Sequence, residues 1–120
     1  MESSWLEGTS MIRTIEKSTI VLGKEIKAII EFTDNGLNVL VAGGDKSHIG
    51  AVAIMDESKN LTSITFPKHK ETIIAETWAR QLYEKFNMPV VVSAGIHYDE
   101  ITPNDILCVV KATNLLLESV

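Results

Sequence analysis

The hydrophobic pattern of this chain changes its period once, and that change limits the folds open to it. Between residues 11 and 66 the apolar residues form five short β-like runs separated by turn residues, among them Asp34-Asn35-Gly36. Asn-Gly is typical of a tight hairpin turn with positive φ. After Pro67 the apolar residues recur at three- and four-residue spacings, as in amphipathic helices. The first half therefore predicts an antiparallel meander, and the second half adds helices.

The second half of the pattern predicts two helices and one more strand. A helix is expected over residues 69–87, a short buried strand over residues 90–93, and a final helix from Thr102-Pro103-Asn104-Asp105, where Thr is the cap and Pro the first helical residue. The predicted fold class is α+β: a largely antiparallel sheet of about six strands, meander first, with both helices packed on one face. The predicted buried positions of the final helix are Ile106, Val109, Val110, Thr113, Leu116 and Leu117.

Composition limits the class of protein. We expect a lead-in over residues 1–10 and one domain over residues 11–120, since 120 residues suit a single core. The net charge of −5 argues against a nucleic-acid partner, and no apolar run has the ~18–20 residues of a membrane span. The single cysteine, Cys108, is predicted to be a core residue and favours a reducing, cytoplasmic setting.

Two segments that combine glycine with histidine are the candidate functional sites. Residues 43–50 and residues 94–99 each follow an apolar run, and together they hold two of the three histidines. Polar residues that follow core strands often hold small ligands. In residues 43–50 we predict a loop in which Gly43 and Gly44 permit close backbone approach and Lys46 supplies charge for an anion. A plain glycine-rich turn is the alternative.

The chemistry of the histidines is open at this stage. Asp45 precedes His48 by three residues and Asp99 follows His97 by two, so a carboxylate could orient either imidazole. Either histidine could equally be structural. The order of residues does not match a P-loop, a nucleophile elbow or a zinc motif. Tyr98, predicted to lie in a loop, is a candidate stacking surface for a planar ligand.

Taken together, these motifs resemble one small prokaryotic family. They are Gly43-Gly44-Asp45, Ser47-His48-Ile49-Gly50, Lys70-Glu71 before a helix with Trp78-Ala79, and Ala94-Gly95-Ile96-His97-Tyr98-Asp99. The sequence is similar to the LpdD-like prenylated flavin chaperones, typified by the subunit encoded with gallate decarboxylase. The resemblance implies the fold of eukaryotic proteasome assembly chaperones.

The resemblance also implies a function without catalysis. It implies a homodimer that binds prenylated FMN, or FMN, and assists the maturation of a UbiD-type decarboxylase. The alternatives are an assembly chaperone that acts through a protein surface without a small ligand and, less favoured, a hydrolase with a His–Asp pair. The cofactor-binding positions implied by the resemblance are Gly43, Gly44, Asp45, Lys46, His48, Gly50, Gly95, His97 and Asp99.

Overall fold

In the computed structural model, which describes residues 9–67 and 71–120, six strands form one sheet and two helices cover one of its faces. The predicted α+β class is confirmed. Most of the expected lead-in (residues 1–8) and the expected start of the first helix (residues 68–70) lie outside the described residues. The elements are β1 (Arg13–Val21), β2 (Lys24–Phe32), β3 (Leu37–Gly44), β4 (Lys46–Met55), β5 (Leu61–Thr65), α1 (Thr72–Phe86), β6 (Val90–His97) and α2 (Pro103–Glu118).

The strand order differs from the predicted meander. The sheet runs β1-β2-β3-β6-β4-β5, so β6 lies between β3 and β4, parallel to the first and antiparallel to the second. β1–β3 form a meander and β4–β5 a hairpin, but the five-strand meander is wrong. A central strand has to be apolar, and β6 meets this condition because Val90, Val92 and Ala94 are fully buried.

The two hairpins of the meander close differently from each other. β2 and β3 pair as predicted around Asn35-Gly36, with Phe32 opposite Leu37. That loop has four residues and no positive φ at Asn35 or Gly36, so the expected tight turn is wrong there. The tight turn joins β1 to β2 instead, where Leu22 (φ 52°) and Gly23 (φ 79°) both adopt the left-handed region.

The helices complete the core on one face of the sheet. α1 places Trp78 fully buried among the core residues, and α2 starts with the predicted cap, in which the Thr102 side chain accepts from the Asp105 N–H. Cys108 is exposed, which corrects its predicted core position. It precedes Val109, a buried residue, by one position, and one position rotates a side chain about 100° around the helix. Ile106, predicted buried, is 41% exposed.

A wide bulge in β4 shapes the functional end of the sheet. Ser47 lies opposite Ile96 and Ala51 opposite Ala94, so three residues of β4 share the single partner Gly95. A Cβ at Gly95 would lie 1.6 Å from the His48 carbonyl oxygen, so any residue other than glycine would clash with the backbone there. The predicted loop over residues 43–50 is therefore wrong. The strands continue to either side of the single residue Asp45, and the glycines serve the bulge and the turn.

The bulge makes Gly95 a critical position for stability. We expect Gly95→Ala to cost about 3 kcal/mol or more, because backbone, not a flexible side chain, occupies the Cβ position. Gly36→Ala is the matched control, since its nearest non-neighbour atom is 3.3 Å away and a small shift accommodates it. Urea denaturation of both variants measures the difference. Equal free energies of unfolding would contradict the bulge geometry.

Candidate functional site

The fold brings the two glycine–histidine segments together within one subunit. His48 lies in the bulge of β4 and His97 ends β6, the neighbouring strand. Their ring centroids are 6.3 Å apart and the ring planes meet at 76°. A single sheet end therefore carries both histidines, and a second subunit is not needed to bring them together.

Each imidazole is held by a carboxylate. His97 Nε2 lies 2.9 Å from Asp99 Oδ1, the pairing that the spacing of these residues suggested. His48 Nε2 lies 3.1 Å from Glu71 Oε1, not beside Asp45. An ionised carboxylate only accepts, so Nε2 of His97 donates to Asp99. The carboxylates thus fix the orientation of both rings.

Asp45 organises the turn between β3 and β4. Its N–H donates to the His97 carbonyl oxygen at 2.6 Å, and its Oδ2 accepts from the Asp99 N–H at 2.9 Å. The ammonium of Lys24 lies 3.7 Å from Oδ1. Asp45 therefore connects the start of β4 to the segment after β6 and holds the backbone of His97 and Asp99 in position.

Glu71 is the site residue that the sequence analysis missed. It directly precedes α1 and is only 7% exposed, although it is a carboxylate. Its Oε1 lies 3.1 Å from His48 Nε2, while Oε2 has no hydrogen-bond partner among the described residues. Its position could have indicated burial, because Glu71 lies one turn before Ile74 and Ala75 on the apolar stripe that includes Trp78.

An apolar groove of about 380 Å³ opens beside this cluster. It lies between α1, the end of β6 and α2, and most of its lining is aliphatic. The polar residues Glu71 and His97 also line it. Such a groove can hold a flat apolar molecule whose polar edge meets the histidine–carboxylate cluster. The aliphatic lining residues are Ile73, Ile74, Ile96, Ile101, Ile106, Val109 and Val110.

Tyr98 is a structural residue and not the free loop side chain that we expected. It is 7% exposed, and its hydroxyl donates to the Val21 carbonyl oxygen at 2.7 Å. Burial raises the pKa of the Tyr98 hydroxyl above 10.0, and the charge of Asp45 raises it further. The Tyr98 hydroxyl thus connects the segment after β6 to the end of β1, and Tyr98 also lines the groove.

The predicted glycine contacts have a structural explanation in the chain itself. A Cβ at Gly43 would lie 2.2 Å from the Glu25 carbonyl oxygen, and one at Gly44 would lie 2.3 Å from that of His97. The Gly50 carbonyl oxygen accepts from the Phe66 N–H at 2.8 Å. Lys46 is exposed and lies opposite His97 in the ladder. Contact of these residues with a cofactor remains a prediction.

The residues around the groove can also be compared with the requirements of nucleophilic catalysis, metal binding and membrane insertion. No serine, threonine or cysteine lines the groove in the part of the chain that the structure describes. Within residues 9–67 and 71–120, no three His, Cys, Asp or Glu side chains are arranged to hold a metal. The two described helices are also too short or too polar to cross a membrane.

The raised pKa of Tyr98 predicts a loss of stability at alkaline pH. Its contribution is fully present below the unfolded pKa of 10.0 and is lost as the pH rises through the higher folded value. We expect Tyr98→Phe to cost about 1–2 kcal/mol at neutral pH, because the Val21 carbonyl loses its donor, and to reduce the alkaline loss. Tyr83→Phe, which removes the bond to the Glu57 carbonyl, is the control. Chemical denaturation from pH 7 upward measures both, and an unchanged alkaline loss in Tyr98→Phe would contradict the assignment.

Comparison with known proteins agrees with the geometry. The sequence model of the prenylated flavin chaperone LpdD-like domain matches residues 21–120. Protein LpdD of Lactiplantibacillus plantarum is 28% identical over 97 residues, covering 77% of this chain and 71% of that protein. The fold is similar to a chain of a chaperone complex for yeast 20S proteasome assembly, with a TM-score of 0.52, 16% identity and coverage of 90% and 96% of the two chains. The match over residues 21–120 supports a chaperone role, and the chain belongs to the LpdD-like prenylated flavin chaperone family.

Proposed function

We propose that this protein is a non-catalytic chaperone that holds prenylated FMN, or FMN, in the apolar groove and delivers it to a UbiD-type decarboxylase. The observation that carries the proposal is the apolar groove, whose polar lining residues Glu71 and His97 each belong to a histidine–carboxylate pair. The description of the family supports the class of ligand. The partner enzyme follows from the resemblance of the motifs.

The groove suits the ring system of a flavin. Aliphatic side chains from α1, β6 and α2 line it, and such side chains pack well against a flat aromatic ring. Its volume of about 380 Å³ is near the lower end of the ~300–1,000 Å³ of small-molecule sites. The ring system therefore occupies the groove, and the phosphate-bearing tail lies outside it.

The strand ends supply the polar contacts in this proposal. Lys46, exposed and opposite His97 in the ladder, meets the phosphate. His48 and His97 contact the polar edge of the ligand, and Asp99 orients His97. Asp45 and the glycines at positions 43, 44, 50 and 95 act indirectly, because they set the backbone that carries these side chains.

Flavin titrations test the groove and the phosphate contact separately. FMN, riboflavin and prenylated FMN are each titrated into the wild-type protein, with flavin fluorescence as the measurement. We expect His97→Ala to weaken all three about tenfold, and Lys46→Ala to weaken only the two phosphorylated ligands about tenfold. Lys59→Ala is the matched control, since Lys59 pairs with Glu84 and lines neither the groove nor the strand ends.

The titrations also decide between this proposal and its alternative. If none of the three flavins binds to the wild-type protein, the flavin proposal is overturned, and assembly through a protein surface alone is favoured. If Lys46→Ala weakens riboflavin as much as FMN, the phosphate contact is wrong although the groove remains.

We further propose that two copies of this chain associate through the uncovered face of the sheet. That face carries a row of side chains in register across five strands, Ile29, Leu40, Ser93, Val52 and Ile64. Val91 and Ile54 form the neighbouring pair. An antiparallel sheet with one solvated face normally carries polar residues there, so this apolar centre needs a cover.

The dimensions and the rim of this face suit a second copy of the chain. Six neighbouring strands, with eight residues in the central strand β3, give a face about 24 Å wide and about 26 Å long, or about 600 Å². Stable dimers bury ~800 Å² per partner. The flat area of this face is comparable, because protruding side chains add to the surface that is buried. The rim is polar on the β1–β2 side, where Lys27 pairs with Glu16 and Asn38 donates to Glu31. An apolar centre with a polar rim is the usual arrangement of an interface.

Light scattering after size-exclusion chromatography tests the dimer. We expect the wild-type protein to have the mass of two chains, and Ile54→Lys to have the mass of one, because a charge would be buried at the centre of the interface. Leu107→Lys is the matched control, since Leu107 is also an exposed aliphatic residue but lies on α2. A monomeric wild-type protein, or dissociation by Leu107→Lys alone, would overturn the sheet-face interface.

A further inference from the structure

We infer that Glu71 recognises a hydrogen-bond donor of the ligand, and that in a flavin this donor is the imide N–H of the pyrimidine-type ring. The inference rests on the proposed function, because it concerns the same groove. It adds a specificity-determining residue and the orientation of the ligand, neither of which follows from the flavin class alone.

The position of the Glu71 side chain is the first reason. Glu71 lines the groove together with His97 and aliphatic residues, yet its side chain is only 9% exposed. Its Oε1 lies 3.1 Å from His48 Nε2. Oε2 is buried and has no partner among the described residues. A residue that lines the apolar groove thus carries one buried acceptor without a partner among the described residues.

The cost of that open acceptor is the second reason. Buried polar atoms are nearly always hydrogen-bonded, because an unpaired one loses its bonds to water without replacement. Hydrogen bonds to charged acceptors are stronger than those to neutral ones, and an aliphatic surrounding strengthens them further. A ligand N–H placed at Oε2 would satisfy the carboxylate and gain affinity through a bond that solvent does not weaken.

The charge of Glu71 also excludes other orientations of the ligand. A phosphate at this position would meet a carboxylate in a site of low dielectric, which is strongly unfavourable. Carbonyl oxygens without a neighbouring donor would leave Oε2 unpaired. The part of the groove at Glu71 therefore selects a neutral edge that carries N–H and disfavours the phosphate.

A pair of ligands that differ only at the imide nitrogen tests the inference. FMN and FMN methylated at that nitrogen are titrated into the wild-type protein, Glu71→Gln and Glu71→Leu. We expect wild type to bind the methylated ligand at least tenfold more weakly than FMN, because the donor is removed and a methyl group is placed against Oε2. In Glu71→Leu the two ligands should bind within about threefold of each other, with Glu71→Gln intermediate.

The control variant is Glu76→Gln on the same helix. Glu76 pairs with Ser63 and Arg80 and does not line the groove, so the tenfold preference for FMN should persist in it. Because the ligand itself is varied, the test remains valid in the wild-type protein even if a Glu71 variant fails to fold. Binding of neither ligand by wild type would overturn the proposed function. Equal binding of both by wild type would leave flavin binding intact and overturn the role of Glu71.

Discussion

The pairing of β6 with β3 on one side and β4 on the other is the interaction on which the rest of the structure depends. β6 joins a three-strand meander and a two-strand hairpin that do not otherwise pair. Its residues Val90, Val92 and Ala94 are fully buried beneath the helices, so the joint is also part of the core. At its end, His97 lies opposite Gly44 of β3 and opposite Lys46 of β4. The same strand therefore closes the sheet and places one of the two histidines.

The polar cluster exists because the β4–β6 ladder is interrupted. In a regular ladder each residue of β4 would face one residue of β6, and alternation along the strand would set the face on which His48 lies. The bulge instead gives three residues of β4 to Gly95, and His48 reaches the carboxylate that precedes α1. Bulges re-aim side chains in this way at the cost of ladder hydrogen bonds. Here part of that cost is offset by the bond from the Phe66 N–H to the Gly50 carbonyl oxygen.

Periodicity predicted the elements well but could not predict their neighbours. The five early strands, the two helices and the Thr102 cap follow from local patterns, and the structure confirms them. Alternation identifies a strand without saying which strand lies beside it, so the insertion of β6 was missed. β6 also ran past its predicted end at Ser93, because Gly95 and His97 are typical of loops and only their pairing with β3 and β4 makes them strand residues.

The same limit applies to the site residues. The proximity of Asp99 to His97 in the sequence correctly suggested their contact, since two residues separate little in space. Glu71 is 23 positions from His48, and only the packing of α1 on β4 brings the two together. Tyr98 was expected to be free in a loop and is buried, whereas Cys108 was expected in the core and is exposed. Burial depends on the direction of a single side chain, which a short sequence pattern does not determine.

The central position of β6 has a consequence for the order in which the molecule can form during synthesis. Strands β3 and β4 leave the ribosome long before residues 90–97, so each presents an unpaired edge until the last strand arrives. Such edges invite association with other chains, and pairing across a long stretch of sequence is slow. The two histidines meet only when β6 enters the sheet. A ligand that contacts both histidines would therefore bind only the completed sheet, and its binding would hold the last strand in place.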